Sequence, residues 1–136
     1  MRKNTIKFRS GFEKAVYEHA TGHKRKLDFE PSDVVCRYVK PSRSARYIPD
    51  FRLPNGVLVE TKGRFPYPDR AKMLLVRESN PELDIRLVFQ RANNRLTKSK
   101  NSMTYWEWAD KHGFIWAEGT IPEEWWKEKS KSETEK

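Results

Sequence analysis

Tyr47-Ile48-Pro49-Asp50-Phe51-Arg52-Leu53-Pro54-Asn55-Gly56-Val57-Leu58-Val59-Glu60-Thr61-Lys62, residues 47–62, is the stretch that decides the fold. Pro54 suits the first position of a type I turn, Asn55 the second, and Gly56 the left-handed position that closes a three-residue hairpin loop. Tyr47 to Leu53 and Val57 to Lys62 are therefore predicted as the two strands of one hairpin. The loop length sets the register: Leu53 faces Val57, and Asp50 comes directly opposite Glu60. Side chains alternate along a strand, so Phe51, Leu53, Val57 and Val59 share a core face, while Asp50, Arg52, Leu58, Glu60 and Lys62 share the other. A loop one residue shorter or longer would slip the register and move Asp50 off the Glu60 face.

That second face carries two carboxylates whose Cβ atoms are expected about 5 Å apart, with an ammonium diagonal to them. Like charges opposite each other destabilise a sheet, so solvent must screen them, a proton must be shared, or a cation must sit between them. A hard divalent ion held by oxygen ligands is the specific answer, and Mg²⁺ takes only one or two carboxylates and keeps several waters. Such an ion polarises a phosphoryl oxygen, lowers the pKa of a bound water and stabilises a leaving oxygen. Lys62 stands where it could orient the attacking water or meet charge that grows in the transition state. The spacing alone fits an amphipathic hairpin with a charged, wet outer face equally well.

Upstream, Ser10-Gly11-Phe12-Glu13 matches a capping box, which predicts a helix from Gly11 to Thr21 with Phe12, Ala15, Val16 and His19 inward and Gly22 ending it. Val34 to Val39 reads as a strand, and the polar residues 40–46 as a linker or extended bridge. Downstream, Asp69 to Ser79 is predicted helical, Ile85 to Phe89 a buried strand, and Thr104 to Lys111 a short helix followed by Gly113. Thr120-Ile121-Pro122-Glu123 caps a last helix. Helix, three strands, helix, strand, helices describe a mixed sheet flanked by helices, an α/β or α+β class. Residues 1–128 form a single domain, and the all-polar tail 129–136 is expected to fray.

The 136 residues carry 28 Lys and Arg against 19 Asp and Glu, a net charge of +9 that suits a polyanionic partner. Two stretches, Arg37 to Arg46 and Arg91 to Lys100, each hold four basic groups and no acid. They flank the hairpin site, which favours phosphate contact over mere solubility. Arg91, Arg95, Lys98 and Lys100 are the leading candidates for DNA contact, with Arg64 and Arg70 just beyond the hairpin behind them. Cys36 is alone, so no intrachain disulfide forms and a reducing compartment fits; it reads as a buried structural thiol. No apolar run approaches the roughly 18–20 residues that span a bilayer. Met1-Arg2-Lys3 leads into no apolar signal region. A soluble intracellular protein without membrane contact is expected.

Pro49-Asp50, with Glu60-Thr61-Lys62 ten residues after the Asp, resembles the PD-(D/E)-x-K signature of a large nuclease superfamily. Around it, Phe8-Arg9-Ser10-Gly11-Phe12-Glu13, Pro49 to Gly56, Val59 to Gly63, Pro81 to Phe89 and Lys111-His112-Gly113 closely resemble the bacteriophage endonuclease I family, Holliday-junction resolvases of short-tailed phages. The resemblance runs in order from Phe8 to Lys127. It implies a magnesium-dependent endonuclease on a restriction-endonuclease-like core, with Mn²⁺ able to substitute and two ions per active site. Asp50 and Glu60 match the family's central metal ligands, the Thr61 carbonyl completes that site, Lys62 is the motif lysine, and Glu13 supports a second metal position. Arg9 and Ser10, in the same matched segment as Glu13, join the candidates for DNA contact. The resemblance further implies an intertwined homodimer in which residues 1–39 swap onto the partner subunit and 40–46 bridge the two. Each site would then combine Glu13 of one subunit with Asp50, Glu60 and Lys62 of the other. Branched double-stranded DNA in the cytoplasm of a host bacterium is the implied substrate and setting.

Other readings of the same residues are a site-specific or homing-type endonuclease on the same scaffold and a non-catalytic architectural DNA-binding dimer. The histidines at 19, 23 and 112 lack metal-ligand spacing: His19 reads as packed, and His112 as a cation at a helix C-terminus. The five tryptophans read mainly as core or dimer contacts.

Overall fold

The computed structural model describes residues 6–40 and 43–129, apart from the side chains of 39, 40, 43 and 44. In chain order the elements are α1 (Gly11–Gly22), β1 (Asp28–Phe29), β2 (Cys36–Lys40), β3 (Arg43–Tyr47), β4 (Phe51–Arg52), β5 (Leu58–Lys62), α2 (Tyr67–Ser79), β6 (Ile85–Phe89), α3 (Tyr105–Lys111), β7 (Trp116–Glu118) and α4 (Glu123–Lys127). Five strands form a mixed sheet in the order β1-β4-β5-β6-β7, and β2 and β3 form a separate two-stranded ribbon. The β1-β4 and β4-β5 pairs are antiparallel, whereas β5-β6 and β6-β7 are parallel. Parallel neighbours need a crossover, and α2 and α3 supply them.

The hairpin has the predicted register. Phe51 pairs with Val59 and Arg52 with Leu58, and the Leu53 N–H donates to the Val57 carbonyl at 2.9 Å. Gly56 has φ +93, the left-handed conformation that the loop demands. The first strand is much shorter than expected. Tyr47 belongs to the ribbon, and the ladder resumes only at Phe51. Between them Pro49 has no N–H to give a ladder.

Both faces of the sheet are covered, which removes the wet outer face. Phe51, Leu53, Val57, Val59 and Val88 pack against Val16 and Ala20 of α1 and Ile121 and Trp125 beside and within α4. Leu58, Ile85, Leu87 and Phe89 pack under Met73 and Val76 of α2, Trp108 of α3, and Cys36, Tyr38 and Tyr47 of the ribbon. Each fully buried Phe or Val in these layers contributes roughly 1.5–3 kcal/mol relative to exposure.

Several expectations need correction. Residues 43–46 are not an unstructured linker: they pair with β2, with Arg37 opposite Arg46 and, beyond them, Cys36 opposite Tyr47. Arg43, Ser44 and Arg46, basic or small and polar, hide the alternation that would mark a strand. Pro41 and Ser42, at the centre of the expected bridge, lie outside the described residues, as do 130–136 of the expected tail. The inward stripe of α1 is Phe12, Glu13, Val16, Tyr17 and Ala20, so Ala15 and His19 are exposed; an acid at an inner position displaces the apolar reading. His112 does not favour its cationic form, because burial and the neighbouring Lys111 and Arg77 hold its pKa below the usual value. The last helix starts after Pro122 without a side-chain cap. Two further strands, β1 and β7, are only two and three residues long, too short for the sequence to display a strand pattern.

Candidate active site

β5 presents Glu60, Thr61 and Lys62 in succession, all in the parallel ladder with β6. Glu60 is 7% exposed and Asp50 is 6% exposed, so two acids sit inside the protein rather than on its surface. Each is held by hydrogen bonds. The Thr61 N–H and hydroxyl both donate to Asp50 Oδ2 at 2.9 Å, and the Tyr47 hydroxyl donates to Glu60 Oε1 at 2.7 Å. Asp50 lies just outside the β4 ladder, so its carboxylate turns onto Thr61 instead of pointing squarely across at Glu60.

Lys62 Nζ lies 3.3 Å from Glu60 Oε2 and 3.1 Å from Asp69 Oδ2, suspended between β5 and the first turn of α2. Glu60 thereby has a donor on each oxygen, Tyr47 on one side and Lys62 on the other. The fourth expected residue arrives from α1. Ser10 caps that helix, its Oγ accepting from the Glu13 N–H at 3.1 Å. The Glu13 carboxylate reaches back to the Arg9 N–H at 2.8 Å, one residue beyond the expected capping-box partner. Glu13 is 5% exposed and near enough to Asp50 for the two carboxylates to feel each other's charge, so one chain brings Glu13, Asp50, Glu60 and Lys62 together. The Glu30 N–H, on a residue with φ 42, donates to the Asp50 carbonyl at 2.8 Å and fixes the backbone there.

Charge is the dominant feature of this cluster. Burial, and next the charge of Asp50, push Glu60 up to about 7, although Lys62 and Tyr47 pull the other way. Burial and Asp50 likewise push Glu13 up to about 7. Burial works against the Lys62 ammonium, but Glu60 and Asp69 outweigh it and hold its pKa above the usual lysine value. Burial and the adjacent Glu60 keep the Tyr47 phenol protonated far above its usual range. Three buried acids, two of them with more affinity for protons than ordinary carboxylates, form a hard-oxygen donor set that fits a divalent cation. Among the described residues no three His, Cys, Asp or Glu side chains close tightly enough to cage a metal unaided. Backbone oxygen and water would fill the remaining positions, as they commonly do for Mg²⁺.

Tyr47 and Asp69 are the members that sequence reading misses. Tyr47 reads as a hairpin residue rather than a ribbon residue, and the only signal for Asp69 is an acid seven positions after the motif lysine. The candidate DNA contacts divide by place. Arg64 and Arg91 lie just past the C-terminal ends of β5 and β6, the edge where ligands of open parallel sheets bind, and both are exposed. Gln90, beside Arg91, donates its N–H to the Lys62 carbonyl at 3.0 Å, which ties the basic loop to the site. Lys98 and Lys100 are exposed farther along that loop, where Arg95 donates to the Ser102 carbonyl at 2.6 Å. Arg9 is exposed but paired with Glu30 at 2.6 Å, and half-buried Arg70 donates to the Phe65 carbonyl at 2.9 Å. A separate cleft of about 420 Å³ lies at the far end of β5, lined by residues such as Asn55, Val57, Asp84 and Arg86, and contains none of the clustered acids. Among the described residues no helix is long and apolar enough to cross a membrane.

Across residues 1–136 the chain matches the family described as Phage endonuclease I. It is 44% identical to Endonuclease I of Escherichia phage T7 over 124 residues, 91% of this chain and 81% of that protein. It is also 44% identical to Endodeoxyribonuclease 1 of Enterobacteria phage T3 over 115 residues, 85% of this chain and 74% of that one.

Proposed function

Because the chain belongs to the phage endonuclease I family, we propose that it is a structure-selective DNA endonuclease that resolves four-way junctions and other branched DNA by paired nicks. The observation that carries this reading is the buried acid cluster with Lys62 pinned at its edge between Glu60 and Asp69. Asp50, Glu60 and the Thr61 carbonyl would hold one Mg²⁺, and Glu13 would support a second, with Mn²⁺ able to replace either. Bound divalent cations supply Lewis acidity at the scissile phosphate and a water acidic enough to attack it. Tyr47 fixes the rotation of the Glu60 carboxylate, and Thr61 that of Asp50. Lys62 holds a positive charge beside the phosphate, where negative charge grows in the transition state. Arg64, Arg91 and the loop behind Arg91 lead the DNA backbone to that point.

The working form is a homodimer in which residues 1–39 exchange between subunits. Exchange reproduces between chains every contact that α1 and β2 make within one chain, so Glu13 would meet the partner's acids in the geometry described above. Two sites at fixed separation favour DNA that bends into both at low cost, which a branch point does and a continuous duplex does not. The cytoplasm of an infected bacterium is where such DNA would be met.

A synthetic four-way junction and the matching linear duplex, each incubated with Mg²⁺ or with EDTA, test the reading. The junction is cut in preference and EDTA abolishes cutting. Glu60→Ala and Lys62→Ala abolish cleavage yet retain junction binding. Equal cutting of both substrates removes the selectivity, cutting in EDTA removes the metal, and loss of binding together with cleavage in both variants makes the cluster structural.

A further inference from the structure

We propose that the outer face of the β2–β3 ribbon is a DNA-backbone contact surface, a second binding element beside the acid cluster; this rests on the nuclease reading above. The ribbon is not part of the main sheet. Its inner face, with Cys36, Tyr38 and Tyr47, is buried against the core. Its outer face is exposed at Val35, Arg37, Arg46 and Ile48. On that face Arg37 and Arg46 are direct cross-strand partners. Like charges placed directly opposite are destabilising, and a ribbon of this length has few interactions to spare for them. No ion pair among the described residues involves Arg37 or Arg46. The sequence from Arg37 to Arg46 contains no acid. Opposed, solvent-facing guanidinium groups without a carboxylate partner are what a row of phosphates complements.

Position ties this surface to cutting. Arg46 immediately precedes Tyr47, whose hydroxyl holds Glu60, and strand alternation sends the two side chains to opposite faces. DNA whose scissile phosphate lies at the acids would pass its backbone over the ribbon within a few nucleotides. Each five-residue strand is about 17 Å long, the axial length of about five phosphates of one DNA strand. Val35 and Ile48, exposed at the foot of the ribbon, give it an apolar margin against which sugar rings can pack.

The test measures binding to a four-way junction and a linear duplex across a salt series in EDTA, where no cleavage occurs. In Arg37→Gln/Arg46→Gln the slope of log K against log salt falls by about 1.8, about 0.9 for each phosphate no longer neutralised. Arg37→Lys/Arg46→Lys keeps both charges and keeps the slope. A control pair, Lys111→Gln/Lys127→Gln, removes the same net charge from exposed sites elsewhere and changes the slope by less than half as much. Thermal melts of the Gln variant show an unchanged or higher Tm, because the opposed pair has been relieved. An unchanged slope in the Gln variant, or an equal fall in the control, overturns the proposal. Failure of the unmodified protein to cut DNA in Mg²⁺ would instead overturn the nuclease reading and leave the slope comparison interpretable.

Discussion

Glu60 is fixed by a neutral donor on one oxygen and a cation on the other, and those two partners make separable predictions. Tyr47→Phe removes only a hydroxyl from a buried site, so the protein stays folded while cleavage falls about tenfold, the scale of one missing hydrogen bond to a charged group. A bond to the ionised carboxylate lowers its pKa, so its removal raises that of Glu60 further and moves the rising limb of the pH–rate profile to higher pH. Rates of junction cutting across pH in both proteins check the shift. A second expectation concerns stability. Glu60 and Glu13 go from 4.5 unfolded to about 7 folded, so the native state binds more protons in that interval. Their contribution is fully present below about 4.5 and is lost as pH rises through about 7, so the metal-free protein weakens over that window. Under the proposed function Mg²⁺ would bind the ionised acids, so its stabilising effect would grow over the same window. Urea midpoints at about pH 5 and about pH 8, with and without Mg²⁺, then show a larger gap at the higher pH. At this scale the sequence is legible where the chemistry is local: one turn and one register bring Asp50, Glu60 and Lys62 into one neighbourhood, although Asp50 leaves the ladder and bonds Thr61 instead of facing Glu60. Tyr47 and Asp69 are not, because their partners reach them through the packing of the ribbon and α2.

At the level of elements, the hairpin carries the site because its loop admits one register. Gly56→Ala forces a side chain into φ +93 and costs about 1 kcal/mol or more, read from a chemical denaturation midpoint with the slope unchanged. Asn55 reinforces the same loop, accepting from the Val57 N–H at 3.1 Å and donating to the Trp125 and Glu128 carbonyls. A substitution at Asn55 therefore also loosens α4. The strong periodic segments α2, β6 and α3 are legible from pattern and caps, and Thr104 with Glu107 forms the full capping box of α3. Segments whose pairing is decided by distant neighbours are not. β3 looks like a linker because most of its residues are basic or small and polar, and β1 and β7 are too short to display a period.

For the whole molecule, a buried cation is one of the ties that hold the last helix to the sheet. Arg86 is 4% exposed, forks onto Asp84 at 2.9 and 2.7 Å and onto Glu128 at 2.5 and 3.0 Å, and lies over the Trp125 ring at 5.2 Å. Arg86→Ala strips away all of these partners at once and should destabilise the fold by about 3 kcal/mol, the lower end for breaking a buried pair. Its carboxylate partners are partly hydrated, which keeps the cost from being larger. Calorimetric melting measures it. The proposed exchange of residues 1–39 gives a particle of twice 16.2 kDa by sedimentation, and a monomer at all concentrations would refute it.

Cys36 turns the ribbon into its own reporter. It is the chain's sole thiol, 1% exposed on the ribbon's buried side, with an acidity weakened by burial. A maleimide or aromatic disulfide reagent can therefore reach it only when the ribbon lifts from α2. The labelling rate times that opening on the unmodified protein. If DNA clamps the ribbon from outside, a bound junction slows the reaction.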